Sequence, residues 1–174
     1  MKTTINILSQ QVINQIAAGE VIQRPASVVK ELLENAIDAH SNNIEIIIEN
    51  AGKTLIKVID DGHGMIEKDA KICFQKHTTS KIKKTEDIME ILTMGFRGEA
   101  LSSMASISDL ELQTKTQSEK IGTVIHVNNS KIKSIKKNIT KTGTSISVKN
   151  LFFNIPARKN FLKSDQVEMK HILD

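Results

Sequence analysis

Between Pro25 and His40 four polar residues, Glu31, Glu34, Asn35 and Asp38, share a run with Val29, Leu32, Leu33, Ala36 and Ile37, whose apolar side chains recur at the spacing of one buried helix face. Glu31 and Asn35 stand one helical turn apart, so a carboxylate and an amide lie on the same side. Further on, Asp60-Asp61-Gly62-His63-Gly64 puts a second carboxylate into a glycine turn. A carboxylate can take a proton from water, and a neutral amide oxygen can complete a magnesium octahedron without adding charge. An aspartate beside glycines can accept a hydrogen bond from the amine of a flat ring that approaches the backbone closely. Together these residues suit a site that holds a metal-bound nucleotide and activates water. A solvated helix face and a structural turn explain each segment alone; the combination favours the site.

Adenine presents an amine donor where guanine presents an acceptor, so Asp60 would discriminate between them through a charged hydrogen bond worth about 1.5 to 3 kcal/mol. Gly95-Phe96-Arg97-Gly98-Glu99-Ala100-Leu101 joins a loop to a helix, where unpaired N–H groups and the helix dipole favour phosphate. An ordinary glycine turn before a helix is the alternative there. Two other patterns fail. Gly52-Lys53-Thr54 matches the tail of a P-loop, but Ile47 stands where that loop needs glycine. The Asp60 turn lacks the alternating oxygens and terminal glutamate of a calcium loop.

The elements that must position these residues are readable from periodicity. Ile5 to Leu8 is a short first segment, Val12 to Ile22 has helical spacing, and the long helix starts at Pro25, where a first-turn proline is tolerated. Ile44, Ile46 and Ile48 in alternation, the turn Asn50-Ala51-Gly52-Lys53 and the strand Leu55 to Ile59 predict a hairpin that delivers Asp60 at a strand exit. Helices are expected over Glu67 to Phe74, Asp87 to Leu92 and Gly98 to Ala105, with a polar loop from His77 to Lys84. Strands follow at Asp109 to Thr114, Ile121 to Val127, Lys131 to Ile135 and Thr144 to Val148. The pattern predicts an α+β fold: a two-layer sandwich in which a mixed, mostly antiparallel sheet is covered by helices on one face. No repeat or linker divides it, so one domain is expected over residues 1–174.

Composition sets the outer limits. With 39% hydrophobic and 25% charged residues, a chain of 174 residues has the balance of one soluble domain. No apolar stretch approaches the length needed to cross a bilayer, which points away from a membrane and towards the cytoplasm. Cys73 has no cysteine partner and, even with His77 nearby, completes no zinc pattern, so a small core residue is expected. A net charge of +4 permits weak contact with DNA through lysines at 81, 83 and 84, at 131, 133, 136 and 137, and around Arg158, Lys159 and Lys163. Ordinary surface lysines explain these equally well, and without tryptophan or tyrosine there is no base-stacking platform.

Several stretches together resemble the amino-terminal ATPase domain of the MutL family of DNA mismatch repair proteins, from about Ile5 to Leu162. They are Asn14 to Val21, Arg24 to Ser27, Lys30 to Asn35, Asp38-Ala39, the Asp60 turn, Thr79-Ser80-Lys81 and Gly95 to Leu101. The helix, aspartate turn and glycine segment are shared with gyrase B, heat-shock chaperones and histidine kinases. Gln15 to Val21 and Leu151-Phe152-Phe153-Asn154-Ile155-Pro156-Ala157-Arg158 are the narrower stretches, and the second speaks against a chaperone or topoisomerase-like motor.

The resemblance implies a Bergerat-type ATP-binding fold with ATP and Mg2+ as cofactors. It implies Glu31 as general base, Asn35 as magnesium ligand, and Asp60 with Gly64 and Thr144 at the adenine. Thr79, Ser80 and Lys81 would belong to a mobile lid, while Gly95, Phe96, Arg97, Gly98, Glu99, Ala100 and Leu101 would hold phosphates at a helix start; Glu34 and Asp38 would be supporting or solvent-facing. It further implies a longer parent, with a second domain supplying a lysine to the γ-phosphate and a carboxy-terminal dimerisation region. That parent would form an ATP-dependent homodimer in a bacterial cytoplasm, acting between a MutS-type mismatch recognition protein and a downstream endonuclease or helicase. A nucleic-acid-binding module with a vestigial nucleotide pocket is the competing reading.

Overall fold

The computed structural model describes residues 5–82, 84, 86–87, 93–95 and 97–174. Phe96, Lys83 and, beyond Asp87, the helix expected to reach Leu92 lie outside the described residues. Helix α1 (Gln10–Val21) begins two residues before the expected start, because Ser9 takes the cap position and its hydroxyl accepts the Val12 N–H at 3.4 Å. Helix α2 (Pro25–Asp38) carries proline in its first turn and buries Val28, Val29, Leu32 and Ala36. It stops at Asp38 instead of His40: His40 adopts φ +58°, and the Ser41 hydroxyl donates to the Ala36 carbonyl at 2.7 Å, closing the helix end.

Among the described residues six strands form one sheet: β1 (Ile44–Glu49), β2 (Leu55–Asp60), β3 (Asp109–Lys115), β4 (Gly122–Asn128), β5 (Lys131–Asn138) and β6 (Gly143–Lys149), in the order β1-β2-β6-β3-β4-β5. Every neighbouring pair is antiparallel. The turn between β1 and β2 includes a short 3-10 segment, Asn50–Gly52, with Asn50, Ala51 and Gly52 all at positive φ. Helices α3 (Glu67–Ile72) and α4 (Ala100–Ile107) complete the cover together with α1 and α2.

Alternation along the strands decides what lies between the layers. Ile56 and Val58 of β2, Leu110 and Leu112 of β3, Ile125 and Val127 of β4, and Ile146 and Val148 of β6 form one cluster with Ala18, Ile22, Val28, Leu32, Met104 and Ile107 from the helical layer. The other sheet face carries a polar row in register, Lys57, Ser147, Glu111 and His126, where His126 and Lys149 approach Glu111 at 3.6 and 3.7 Å. The architecture is the expected α+β sandwich. At the edge of the sheet, β1 departs from the expected alternation and Ile46 is exposed; among the described residues β1 pairs on one side only, with β2.

Two helices were not legible beforehand: α5 (Pro156–Phe161) and α6 (Asp165–Leu173). The reason in α6 is visible in its burial, since the residue it buries is Glu168 while Val167 and Leu173 are exposed. Cys73 is half-buried beside the core, as expected, and burial pushes its thiol up to about 12. No helix among the described residues is long and apolar enough to cross a membrane.

Candidate functional site

The last turn of α2 organises the site. Beyond it, the Ala39 carbonyl accepts the His63 N–H at 3.0 Å, and a side chain at Gly62 would strike that same carbonyl and the Ser41 hydroxyl. The glycine turn after β2 therefore packs directly on the end of the helix that carries Glu31 and Asn35. Asp61 secures the junction, its carboxylate accepting the Asn42 and Asn43 N–H groups at 2.7 and 2.9 Å and the Asn43 amide at 2.8 Å.

Asp60 opens this turn. Its Oδ1 accepts the Gly62 N–H at 2.9 Å and the Thr144 N–H at 3.3 Å, leaving Oδ2 the less committed oxygen. Burial nevertheless raises the carboxyl above the ordinary aspartate range, against these bonds and one from Ser41. Strand order then adds a residue that the sequence reading missed. Asp60 pairs in register with Thr144, and Thr144 with Thr114, so three polar residues form one rung across β2, β6 and β3. The Thr114 hydroxyl is 3.1 Å from that of Thr144, 3.0 Å from the Gly143 carbonyl, and accepts the Met65 N–H at 2.8 Å. Thr114 follows Leu110 and Leu112 on the inward face, and a polar residue in that apolar series was the available signal.

On the polar side of α2, Glu31 is half-buried, and burial followed by the neighbouring Glu34 raises its carboxyl above the ordinary glutamate range; Lys30, Lys81 and Arg97 act in the opposite sense. A carboxylate so tuned is a better proton acceptor near neutrality. Asn35 turns its Oδ1 to the Lys81 ammonium at 3.0 Å. Asp38 is not solvent-facing: its side chain is 7% exposed, Oδ2 meets the same ammonium at 2.5 Å, and the Met94 and Gly95 N–H groups donate to Oδ1 and Oδ2 at 3.0 and 3.2 Å. Burial opposes the Asp38 charge, but these donors outweigh it and hold the carboxyl below its usual value.

The loop and the glycine segment are neighbours. Thr79 accepts the Lys81 N–H at 3.1 Å, and Gly98, at φ +63°, lies against Thr78 so closely that a Cβ there would come 2.9 Å from the Thr78 nitrogen. His77 Nδ1 stands 3.3 Å from Glu99. Glu99 precedes α4 and makes no side-chain cap bond, so the helix start is not closed by its N-cap side chain. The helix begins at Ala100, two residues later than expected. Its other end is braced by Asn154 of the signature stretch, whose amide donates to the Ser106 carbonyl at 2.8 Å and to Asn129 at 2.9 Å. Ser80 lies in the loop and makes no side-chain bond among the described residues.

The Asn35 oxygen, which already faces a positive charge, fits a hard cation. Among the described residues no group of three or more histidine, cysteine or acidic side chains gathers as a metal site.

This fold and site define an ATPase class. Residues 23–159 match the family described as histidine kinase-, DNA gyrase B-, and HSP90-like ATPase, and the chain belongs to it. Within that family the chain is similar to DNA mismatch repair protein MutL of Christiangramia forsetii, 56% identical over 174 residues, which is all of this chain and 28% of that protein. MutL of Koribacter versatilis is 51% identical over 168 residues, 97% of this chain and 26% of that protein. Among solved structures, the Aquifex aeolicus MutL ATPase domain complexed with ADP is 32% identical with a TM-score of 0.66, covering 88% of this chain and 53% of that one. The amino-terminal domain of a DNA repair protein reaches a TM-score of 0.77 at 33% identity, over 92% of this chain and 46% of that one. The chain thus spans little more than a quarter of the length of the MutL proteins it matches.

Proposed function

We propose that this chain is the ATP-binding and ATP-hydrolysing domain of a MutL-type mismatch repair protein, and that residues 1–174 are one domain of a longer parent. The observation that carries this reading is the convergence along the second half of α2: Glu31 and Asn35 share one face of it, and the Asp60 turn packs on its carboxy-terminal end. In this reading Asp60 Oδ2 accepts the adenine amine while Gly64 lines the ring and Thr144, backed by Thr114, fixes the aspartate. Glu31 takes the proton of the water that attacks the γ-phosphate, a role worth about 10² to 10⁴ in rate. Asn35 holds magnesium, which when bound offsets the charge on the phosphate oxygens. Thr79, Ser80 and Lys81, with the segment from Gly95 to Leu101, close on the phosphates, where the uncapped α4 N-terminus supplies N–H donors.

The MutL resemblance supports the wider reading. ATP binding favours a dimeric state of the parent by differential affinity, and the dimer links a MutS-type recognition protein to a downstream endonuclease or helicase in the cytoplasm, with DNA held weakly by basic surface. Calorimetric titration with ATP and with GTP, each with and without magnesium, tests the site. Magnesium-dependent binding of ATP alone is the expected result; tight, salt-sensitive DNA binding without any nucleotide binding would overturn it in favour of the vestigial pocket.

A further inference from the structure

Lys81 reaches α2 from the loop after α3, and its ammonium sits between two oxygens, 3.0 Å from Asn35 Oδ1 and 2.5 Å from Asp38 Oδ2. Its side chain is only 17% exposed there, so this is no ordinary surface ion pair. Gly95 lets it in. A Cβ on residue 95 would lie 3.3 Å from the ammonium nitrogen, and the Gly95 N–H shares Asp38 Oδ2 with it. An ammonium and a small divalent ion seek the same hard oxygen, and two cations cannot share it at contact distance without strong repulsion.

We propose that Lys81 competes with magnesium for Asn35, so that Lys81 sets the magnesium concentration needed for tight nucleotide binding. The proposal rests on reading Asn35 as the magnesium ligand. Lys81 has to leave Asn35 when the metal-bound nucleotide is held, and phosphate oxygens offer the released ammonium charge-assisted partners. Asp38 is then a positioning residue: it sets the resting place of Lys81 and keeps the Met94 and Gly95 N–H groups bonded after the lysine departs.

The test uses the 174-residue chain, its Lys81→Met and Asp38→Asn variants, and a fluorescent ATP analogue at saturation, titrated with magnesium. Circular dichroism verifies that each variant is folded. Lys81→Met is expected to lower the magnesium midpoint about tenfold, the scale of one charged hydrogen bond, with Asp38→Asn moving it the same way. An unchanged or raised midpoint in Lys81→Met overturns the proposal. Should no variant bind the analogue at any magnesium concentration, the reading of the site itself fails. Titration with manganese alone, followed by electron paramagnetic resonance, then decides the competition: it stands if Lys81→Met binds the ion more tightly than the parent chain and falls if the two are equal.

Discussion

Gly64 lies against the backbone of Lys115, so close that a Cβ on residue 64 would run into the Lys115 carbonyl oxygen and stand 2.7 Å from its carbon. Gly64 also holds φ +67°, so two independent constraints exclude a side chain. The contact fastens the glycine turn to the end of β3, one residue past Thr114. Gly64→Ala is expected to destabilise the chain by about 2 to 4 kcal/mol, combining backbone strain with a clash that no rotamer relieves. Urea unfolding checks this; a loss below about 0.5 kcal/mol would mean that the turn can move away from Lys115 at little cost.

Asp60 permits a substitution that separates binding from folding. An asparagine at residue 60 keeps an oxygen for the Gly62 and Thr144 N–H groups, but its second polar atom is a donor and would not accept the amine of the adenine proposed to bind there. Asp60→Asn is therefore expected to keep the parent's unfolding midpoint within about 1 kcal/mol and to weaken ATP binding at least tenfold, from the charged hydrogen bond lost. Asp60→Ala should lose both properties. Equal ATP affinity in Asp60→Asn and the parent would place base recognition elsewhere.

Glu31 links activity to stability through pH. Its folded-state value is raised, so between the ordinary glutamate range and that raised value the folded chain binds more protons than the unfolded chain. Stability contributed by this group accordingly falls as pH rises through the window, and above it the buried charge is a net cost. Glu31→Gln is expected to unfold at higher urea than the parent at pH 7, with the difference vanishing below the ordinary glutamate range, while hydrolysis is abolished. The parent's rate should fall on its acid side above the ordinary glutamate range. Identical unfolding of the two proteins at every pH would show that burial of Glu31 costs nothing.

The sequence revealed what depends on local periodicity and left out what depends on pairing across the sheet. Helix α2, the hairpin and the Asp60 turn were legible because alternation and the 3.6-residue repeat are written within single segments. The rung of Asp60, Thr144 and Thr114 was not, because it arises when β6, late in the chain, inserts between β2 and β3. Asp38 was read as supporting or exposed for a similar reason: its partners Lys81, Met94 and Gly95 come from 43 to 57 residues further along. Helix α5 is six residues that start at a proline, with no buried residue, so it has no apolar stripe to be read.

Glu168 offers a prediction away from the nucleotide site. It is 1% exposed; Oε1 accepts the Lys163 N–H at 2.8 Å, and Oε2 has no hydrogen-bond partner among the described residues. Next to it, Lys53 ties the same corner by donating to the Lys163 carbonyl at 2.7 Å and pairing with Asp165 at 2.8 Å. A buried carboxylate oxygen without a donor is costly, whereas the Lys163 bond holds the start of α6. The two contributions can be separated. Glu168→Gln keeps an acceptor for Lys163 and removes the charge, so stability should stay equal or rise by about 1 kcal/mol. Glu168→Ala strands the Lys163 N–H and opens a cavity, and should cost about 2 to 4 kcal/mol. Thermal unfolding of both variants at neutral pH distinguishes them; a Glu168→Gln loss as large as that of Glu168→Ala would mean that the charge itself is needed, with a cationic partner reaching Oε2 in solution.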